Sequence, residues 1–256
     1  MASSRRATDW KAWLRRWDAQ QAALLPSRER RFHVLLDVLE ATVGRSPRVL
    51  DLGSGPGSLS LRILQRFPRA RCVAVDYDPV VLRIGQGALG SFRGRLTWVD
   101  AKLGAAGWTD RLPAGKYDAA VSTTALHWLS PASLRRVYRD LGGLLRPAGI
   151  FLNGDQLAWG AEDPRLLRLA QRVRQVHRHG LLRRPGRDAW DRWWRDAARV
   201  PALAPSFAEH ERRQAQHPKD RSLPLDAHVR ALRRSGFRTV AVVWQIIDNR
   251  VLFAQR

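Results

Sequence analysis

Ten residues, VLDLGSGPGS from Val49 to Ser58, constrain this chain more than any other segment. A short apolar run ends in an acid, Asp51, and glycines follow at 53, 55 and 57. An apolar strand that passes through glycines into a helix is the opening unit of an open parallel sheet, and ligands bind such sheets beyond the strands' carboxyl ends. Glycine lets the backbone turn tightly and approach a ligand with no Cβ in the way, and the next helix offers free N–H groups. The alternation continues with CVAVD, a helix after Pro79, LTWVD, YDAAVST, a helix after Pro131, and GIFLNGD. Apolar strands alternating with helices predict a doubly wound, mainly parallel α/β sheet covered on both faces.

The turn reads G-x-G-x-G, whereas a dinucleotide site reads G-x-G-x-x-G and would place a third glycine at Ser58. An acid just before the turn would repel a pyrophosphate, so Asp51 favours a ligand carrying positive charge. Asp76 closes the second strand in VAVDYDP, about where a ribose-binding acid follows such a turn. Asp100 closes the third strand in LTWVD and is placed to meet a purine edge. Three acids at three successive strand ends describe a site for a cationic nucleoside.

On these residues the chain resembles the class I S-adenosylmethionine-dependent methyltransferases, a likeness that runs from about Arg48 to Asp155. The motifs are VLDLGSGPGS, VAVDYDP, WVDA, YDAAVSTTALHWLS and LLRPAGIFLNGD. The resemblance implies a Rossmann-like sheet of seven strands with an antiparallel C-terminal hairpin, and S-adenosylmethionine as cofactor. It implies that Asp51 and the turn through Gly53, Ser54, Gly55 and Gly57 hold the methionine part of the cofactor. Asp76 would take the ribose and Asp100 with Ala101 the adenine, with Tyr77 and Thr123 also among the cofactor-binding residues. Ala148 stands in LLRPAG where the family more often has glycine. The segment TTALHWL is similar to the small-molecule branch that includes trans-aconitate methyltransferase, which places His127 and Trp128 between cofactor and acceptor. Imidazole titrates near neutrality, so His127 is the candidate catalytic residue, its alternative being to pack or to cap a helix.

The remaining segments set the outline. Residues 1–46 predict two helices, the first carrying Trp10, Trp13, Leu14, Trp17 and Leu24 at helical spacing, the second capped by Ser27 after Pro26. Residues 47–155 form the cofactor-binding core and 156–237 a helical insertion. Residues 238–256 predict a closing hairpin, RTVAVVWQI and VLFAQR about the turn DNR, at the sheet edge. Tryptophans at both ends of the core, with Trp13, Trp17, Trp128 and Trp159 as acceptor-binding candidates, suggest an aromatic lid over a pocket for an apolar or planar acceptor. Ordinary packing between helices is the alternative. In AEHERRQAQHPKDRS, His210, Arg212, Arg213, His217 and Lys219 would bind an acidic group or form a solvated loop.

Charge leaves a second class open. The formal net charge is +22, nearly all from arginine spread between Arg5 and Arg256. Such a balance is the footprint of a nucleic-acid binder, and it is also what a GC-rich coding sequence produces without selection for polyanions. An RNA methyltransferase is therefore the alternative to a small-molecule enzyme acting on an oxygen, nitrogen or carbon nucleophile, and a non-catalytic binding scaffold is a third reading. The segment after the fourth strand lacks the Asn/Asp-Pro-Pro-aromatic run of base-amine methyltransferases, and the single Cys72 opens a strand far from its carboxyl end. No metal site is expected. One cysteine, no apolar stretch of membrane-spanning length and an arginine-rich start containing acids fit a cytoplasmic protein rather than a secreted, membrane or organelle-targeted one.

Overall fold

The computed structural model describes residues 7–25, 27–160, 163–180, 186–214 and 223–256. Seven strands form one sheet: β1 (Arg48–Leu52), β2 (Arg71–Asp76), β3 (Leu96–Asp100), β4 (Tyr117–Thr123), β5 (Leu145–Gln156), β6 (Thr239–Ile246) and β7 (Asn249–Gln255). Their spatial order is β3-β2-β1-β4-β5-β7-β6, with β7 alone antiparallel to its neighbours. The chain direction across the sheet reverses between β1 and β4, which puts the topological switch point at the glycine turn.

The C-terminal hairpin differs from the sequence reading in one detail. Its turn lies at Ile247 and Asp248, so it begins one residue before DNR and leaves Asn249 and Arg250 to the strand, and Ile247 takes the left-handed conformation at φ 57°. The returning strand β7 slots between β5 and β6, so β6, not the last strand, forms the edge. Val251, Leu252 and Ala254 of β7 are fully buried while β6 alternates between exposed and half-buried residues, so burial decides which arm lies inside.

Helices cover both faces because the strands are apolar on both. On one side α2 (Arg28–Val43) and α3 (Ser58–Arg66) bury Phe32, Leu35, Leu39 and Ile63 against Val49, Ala119 and Ile150. On the other, α5 (Pro131–Leu144) and α9 (Leu225–Arg234) bury Val137, Tyr138, Leu141 and Leu232 against Leu50, Ala120 and Phe151. Full burial of each such side chain contributes about 1.5–3 kcal/mol. A third cluster joins α1 (Trp10–Leu24) to α4 (Pro79–Leu89) and α7 (Gly186–Ala198). The ring of Trp10 lies where a side chain at Gly87 would stand, 2.4 Å from an added Cβ, so glycine in α4 is what lets α1 dock. Helix α6 (Pro164–Gly180) and α8 (Ala204–Gln214) complete the helical segment after β5. Ser27 precedes α2 as expected, but its hydroxyl accepts from Asn249 Nδ2 at 2.6 Å instead of capping the helix. Among the described residues no helix is long and apolar enough to cross a membrane.

Candidate functional site

The carboxyl ends of β1, β2 and β4 open into a cavity of about 1210 Å³. Its floor is the glycine turn. Gly53, Gly55 and Gly57 all have positive φ, at 68°, 54° and 85°, which an L side chain rarely tolerates. A Cβ at Gly53 would also stand 2.3 Å from Ala125 Cβ, so the turn fits only because that position is bare. Gly57 answers a different need. It and Gly85 leave room for the ring of Trp98, which an added Cβ would approach to 2.7 and 2.4 Å, and Gly57 itself does not line the cavity. The three glycines thus divide their work between turning, facing the cavity and packing.

Asp51 is almost completely buried, at 1% exposure, and does not line the cavity. Its Oδ2 accepts from Ser60 N at 3.1 Å and Ser60 Oγ at 2.6 Å, which ties β1 to the first turn of α3. Its Oδ1 has no hydrogen-bond partner among the described residues. Burial raises its pKa from 3.8 to about 7, against the opposing hydrogen bonds of Ser60.

Asp76 does line the cavity. Its Oδ2 accepts from Gly55 N at 2.7 Å, and its Oδ1 from Tyr77 N and Asp78 N at 2.7 and 2.9 Å. Three backbone N–H groups fix the carboxylate at the cavity edge, while burial raises its pKa to about 6. Asp100 is occupied otherwise than expected. Both its oxygens take Arg213 of α8, at 2.8 and 2.9 Å, and only its neighbour Ala101 reaches the cavity. Arg213 also donates to the Tyr77 carbonyl and lies over the Tyr77 ring, 4.5 Å from its centroid. On the same helix His210 Nδ1 meets Asp78 Oδ2 at 2.8 Å and stacks on Trp194 at 4.9 Å. Helix α8 therefore spans the cavity wall beside β2 and β3 by two pairings, one to each strand end. His210 and Arg213 stand on a helix, not in a solvated loop, whereas His217 and Lys219 lie outside the described residues.

The structure sorts the tryptophans. Trp17, Trp128, Trp190 and Trp194 line the cavity, with Trp17 to Trp190 and Trp190 to Trp194 each 5.7 Å apart between centroids. Trp13 instead packs edge-on against the buried Trp193 within the α1–α7 cluster. Trp159 lies under Arg250, 4.2 Å from the guanidinium, away from the cavity. These two acceptor-binding candidates thus serve packing. Leu24, expected on the apolar face of α1, is exposed.

His127 stands in a short 3-10 turn after β4, next to the cavity-lining Trp128, and is not itself part of the cavity wall. Its Nδ1 pairs with Asp155 Oδ1 at 2.8 Å and its backbone N–H with Asp155 Oδ2 at 3.3 Å. Asp155 is 1% exposed at the end of β5. The carboxylate orients the ring and leaves Nε2 free of that bond. Nearby Arg31 is fully buried on α2, donating to Asn249 Oδ1 and Thr124 Oγ1 at 3.0 and 2.6 Å. Burial lowers its pKa to about 10, partly offset by the charge of Asp155.

Sequence reasoning missed Gln21, Arg28, Lys102 and Arg195 on the cavity wall. Arg28 is 5% exposed and pairs with Asp18 at 3.0 Å, while Asp18 also accepts from Ser58 Oγ at 2.6 Å. Its position just after Pro26 read as an ordinary first helical turn. Only the docking of α1 and α2 over the glycine turn brings it to the site. Among the described residues no cluster of side chains could hold a metal ion.

Comparison with known proteins agrees with this geometry. Residues 49–149 match the family described as Methyltransferase domain. An uncharacterized methyltransferase of Mycobacterium tuberculosis is 37% identical over 101 residues, 40% of this chain and 46% of that protein. The trans-aconitate 2-methyltransferase of an Azoarcus species is 30% identical over 135 residues, 52% of this chain and 48% of that one. The malonyl-[acyl-carrier protein] O-methyltransferase of Geobacter sulfurreducens is 32% identical over 120 residues, 46% and 41%. The chain thus spans less than half the length of the curated relatives it matches. A solved O-methyltransferase family protein from Burkholderia thailandensis shares the fold at TM-score 0.57 and 18% identity, over 94% of this chain and 59% of that one. Glycine turn, strand-end acid and strand order agree with the family match: residues 49–149 of this chain carry a methyltransferase domain.

Proposed function

We propose that this chain transfers a methyl group from S-adenosylmethionine to an oxygen, nitrogen or carbon nucleophile of a small molecule. One observation carries the reading. A single cavity is lined on one side by the glycine turn and Asp76 and on another by Trp17, Trp128, Trp190 and Trp194. The cofactor fits the residues present. A Cβ at Gly55 would enter the cavity, 3.6 Å from the Trp17 ring, so the bare backbone forms a cradle there. Asp76, already held by three N–H groups, keeps a lone-pair site on Oδ2 for a ribose hydroxyl. Bound there, the cofactor supplies a methyl group on a positively charged sulfur.

The chain's own residues then have limited chemistry to perform. Asp51 and Asp76 place negative charge beneath the turn, where a cation is favoured. The indoles of Trp17, Trp190 and Trp194, with the exposed Trp128 at the rim, give the acceptor side an apolar wall. Aligning the acceptor atom can supply about 7–11 kcal/mol of the barrier without a strong base. Where the acceptor must lose a proton, His127 is the group to take it on Nε2, its ring held by Asp155. The relatives named as O-methyltransferases favour an oxygen acceptor, and no feature of this site favours RNA.

Incubation of the chain with cofactor and a fractionated metabolite extract, read by mass spectrometry, is the direct test. A compound of metabolite size gaining one methyl group supports the reading; methyl transfer confined to RNA overturns it. Asp76→Ala should lower cofactor affinity at least about tenfold, as a charge-assisted hydrogen bond of about 1.5–3 kcal/mol is lost. Unchanged affinity would refute the ribose assignment.

A further inference from the structure

The mechanism leaves one strongly charged surface unused. Helices α5 and α9 lie side by side on the face away from α2 and α3, and a groove of about 310 Å³ runs between them. Four exposed arginines rim it: Arg135 and Arg139 on α5, Arg230 and Arg234 on α9. Its floor carries Leu223, Ala227 and Ala231. Among the described residues the only carboxylate paired with this rim is Asp226, which takes Arg230. Arg136 and Arg233 are exposed on the same two helices outside the groove. Like charges this close repel one another and destabilise the folded chain unless something outside neutralises them. The remaining acid on α5, Asp140, is committed to the indole N–H of Trp108 at 2.6 Å. Many other arginines of this basic chain are matched within the fold, as Arg62 is by Asp18 and Glu29, and Arg66 by Asp37 and Glu40.

We propose that this groove docks an acidic amphipathic helix of a partner protein. The pattern selects the partner. Each arginine pair is spaced i,i+4, so its members stand about 5–6 Å apart along one helix edge. Glu or Asp residues one turn apart on a helix have the same spacing, and two such rows would meet the two arginine rows. The floor decides between a protein and a nucleic acid. An apolar ridge between two acidic rows covers Leu223, Ala227 and Ala231, whereas a phosphodiester chain neutralises the arginines and leaves that floor wet. Anchoring by arginine around a desolvated apolar centre is also how protein interfaces concentrate their affinity.

The test uses a stapled, fluorescent helical peptide of about 14 residues, four turns, with two rows of Glu at i,i+4 flanking a Leu/Ala ridge. Anisotropy titration with the full chain should show saturable binding. The double variant R139Q/R234Q should weaken it about tenfold, as should raising salt from about 0.05 M to about 0.3 M. Cofactor binding should be unchanged in the variant, since both arginines lie outside the cavity. A scrambled peptide of equal charge should bind at least about tenfold more weakly, because it breaks the register and the ridge. No binding, equal binding to the scrambled peptide, no loss in the double variant, or tighter binding of a short RNA at the same surface would each overturn the proposal.

Discussion

Asp51→Asn should make the protein more stable above pH 7 while weakening its hold on the cofactor. Asp51 is buried and, among the described residues, one oxygen is bonded only to Ser60 and the other has no hydrogen-bond partner. Its pKa is about 7 in the fold and 3.8 ordinarily. Between about pH 4 and pH 7 the folded state therefore holds the proton more tightly than the unfolded chain, so stability falls as pH rises through that window and levels off above it. The full loss is about 4 kcal/mol, at 1.36 kcal/mol for each tenfold change in proton affinity. Asparagine keeps an oxygen for Ser60 and removes the charge. Allowing about 1 kcal/mol for the weaker neutral hydrogen bond, the variant gains about 3 kcal/mol at pH 8.5, which corresponds to about 6–12 °C in Tm. At pH 4 the two chains should differ by about 1 kcal/mol at most. Asp76 also titrates high, at about 6, but it slopes both curves alike and largely cancels in their difference. The assay is thermal unfolding of both chains across pH 4 to 9, with cofactor titrated calorimetrically at pH 8. A gap that does not widen with pH would refute the reasoning. A stabilised variant with unchanged cofactor affinity would show that the charge serves no cation.

Three further outcomes follow from the same geometry. Gly53→Ala combines a left-handed residue with a Cβ 2.3 Å from Ala125, so chemical denaturation should show a loss of about 3 kcal/mol or more; a change within about 0.5 kcal/mol would contradict the turn as described. Arg213→Gln removes the bidentate grip on Asp100, a half-exposed pair worth about 0.4–1 kcal/mol, and stopped-flow tryptophan fluorescence should show cofactor leaving about two- to fivefold faster, whereas slower or unchanged release would mean that α8 does not close the site. His127→Ala should reduce kcat less than about a hundredfold if alignment dominates. A loss of about 10³ or more would assign proton abstraction to the His127–Asp155 pair.

The sequence by itself determined the sheet, the glycine turn and the acid at Asp76, because each is local: strand period, positive φ and a strand end are written in consecutive residues. It also determined that a closing hairpin exists, through two apolar runs about a short polar break. Tertiary structure decided everything that depends on distant segments meeting. It put β7 inside β6, since only packing can choose which arm is buried. It turned Asp51 to Ser60 and gave Asp100 to Arg213, 113 residues away. It split the tryptophans between cavity and core and brought Arg28 to the site. Spacing in a chain shows which face of its own helix a side chain occupies; what that face will touch is fixed only when the helices dock.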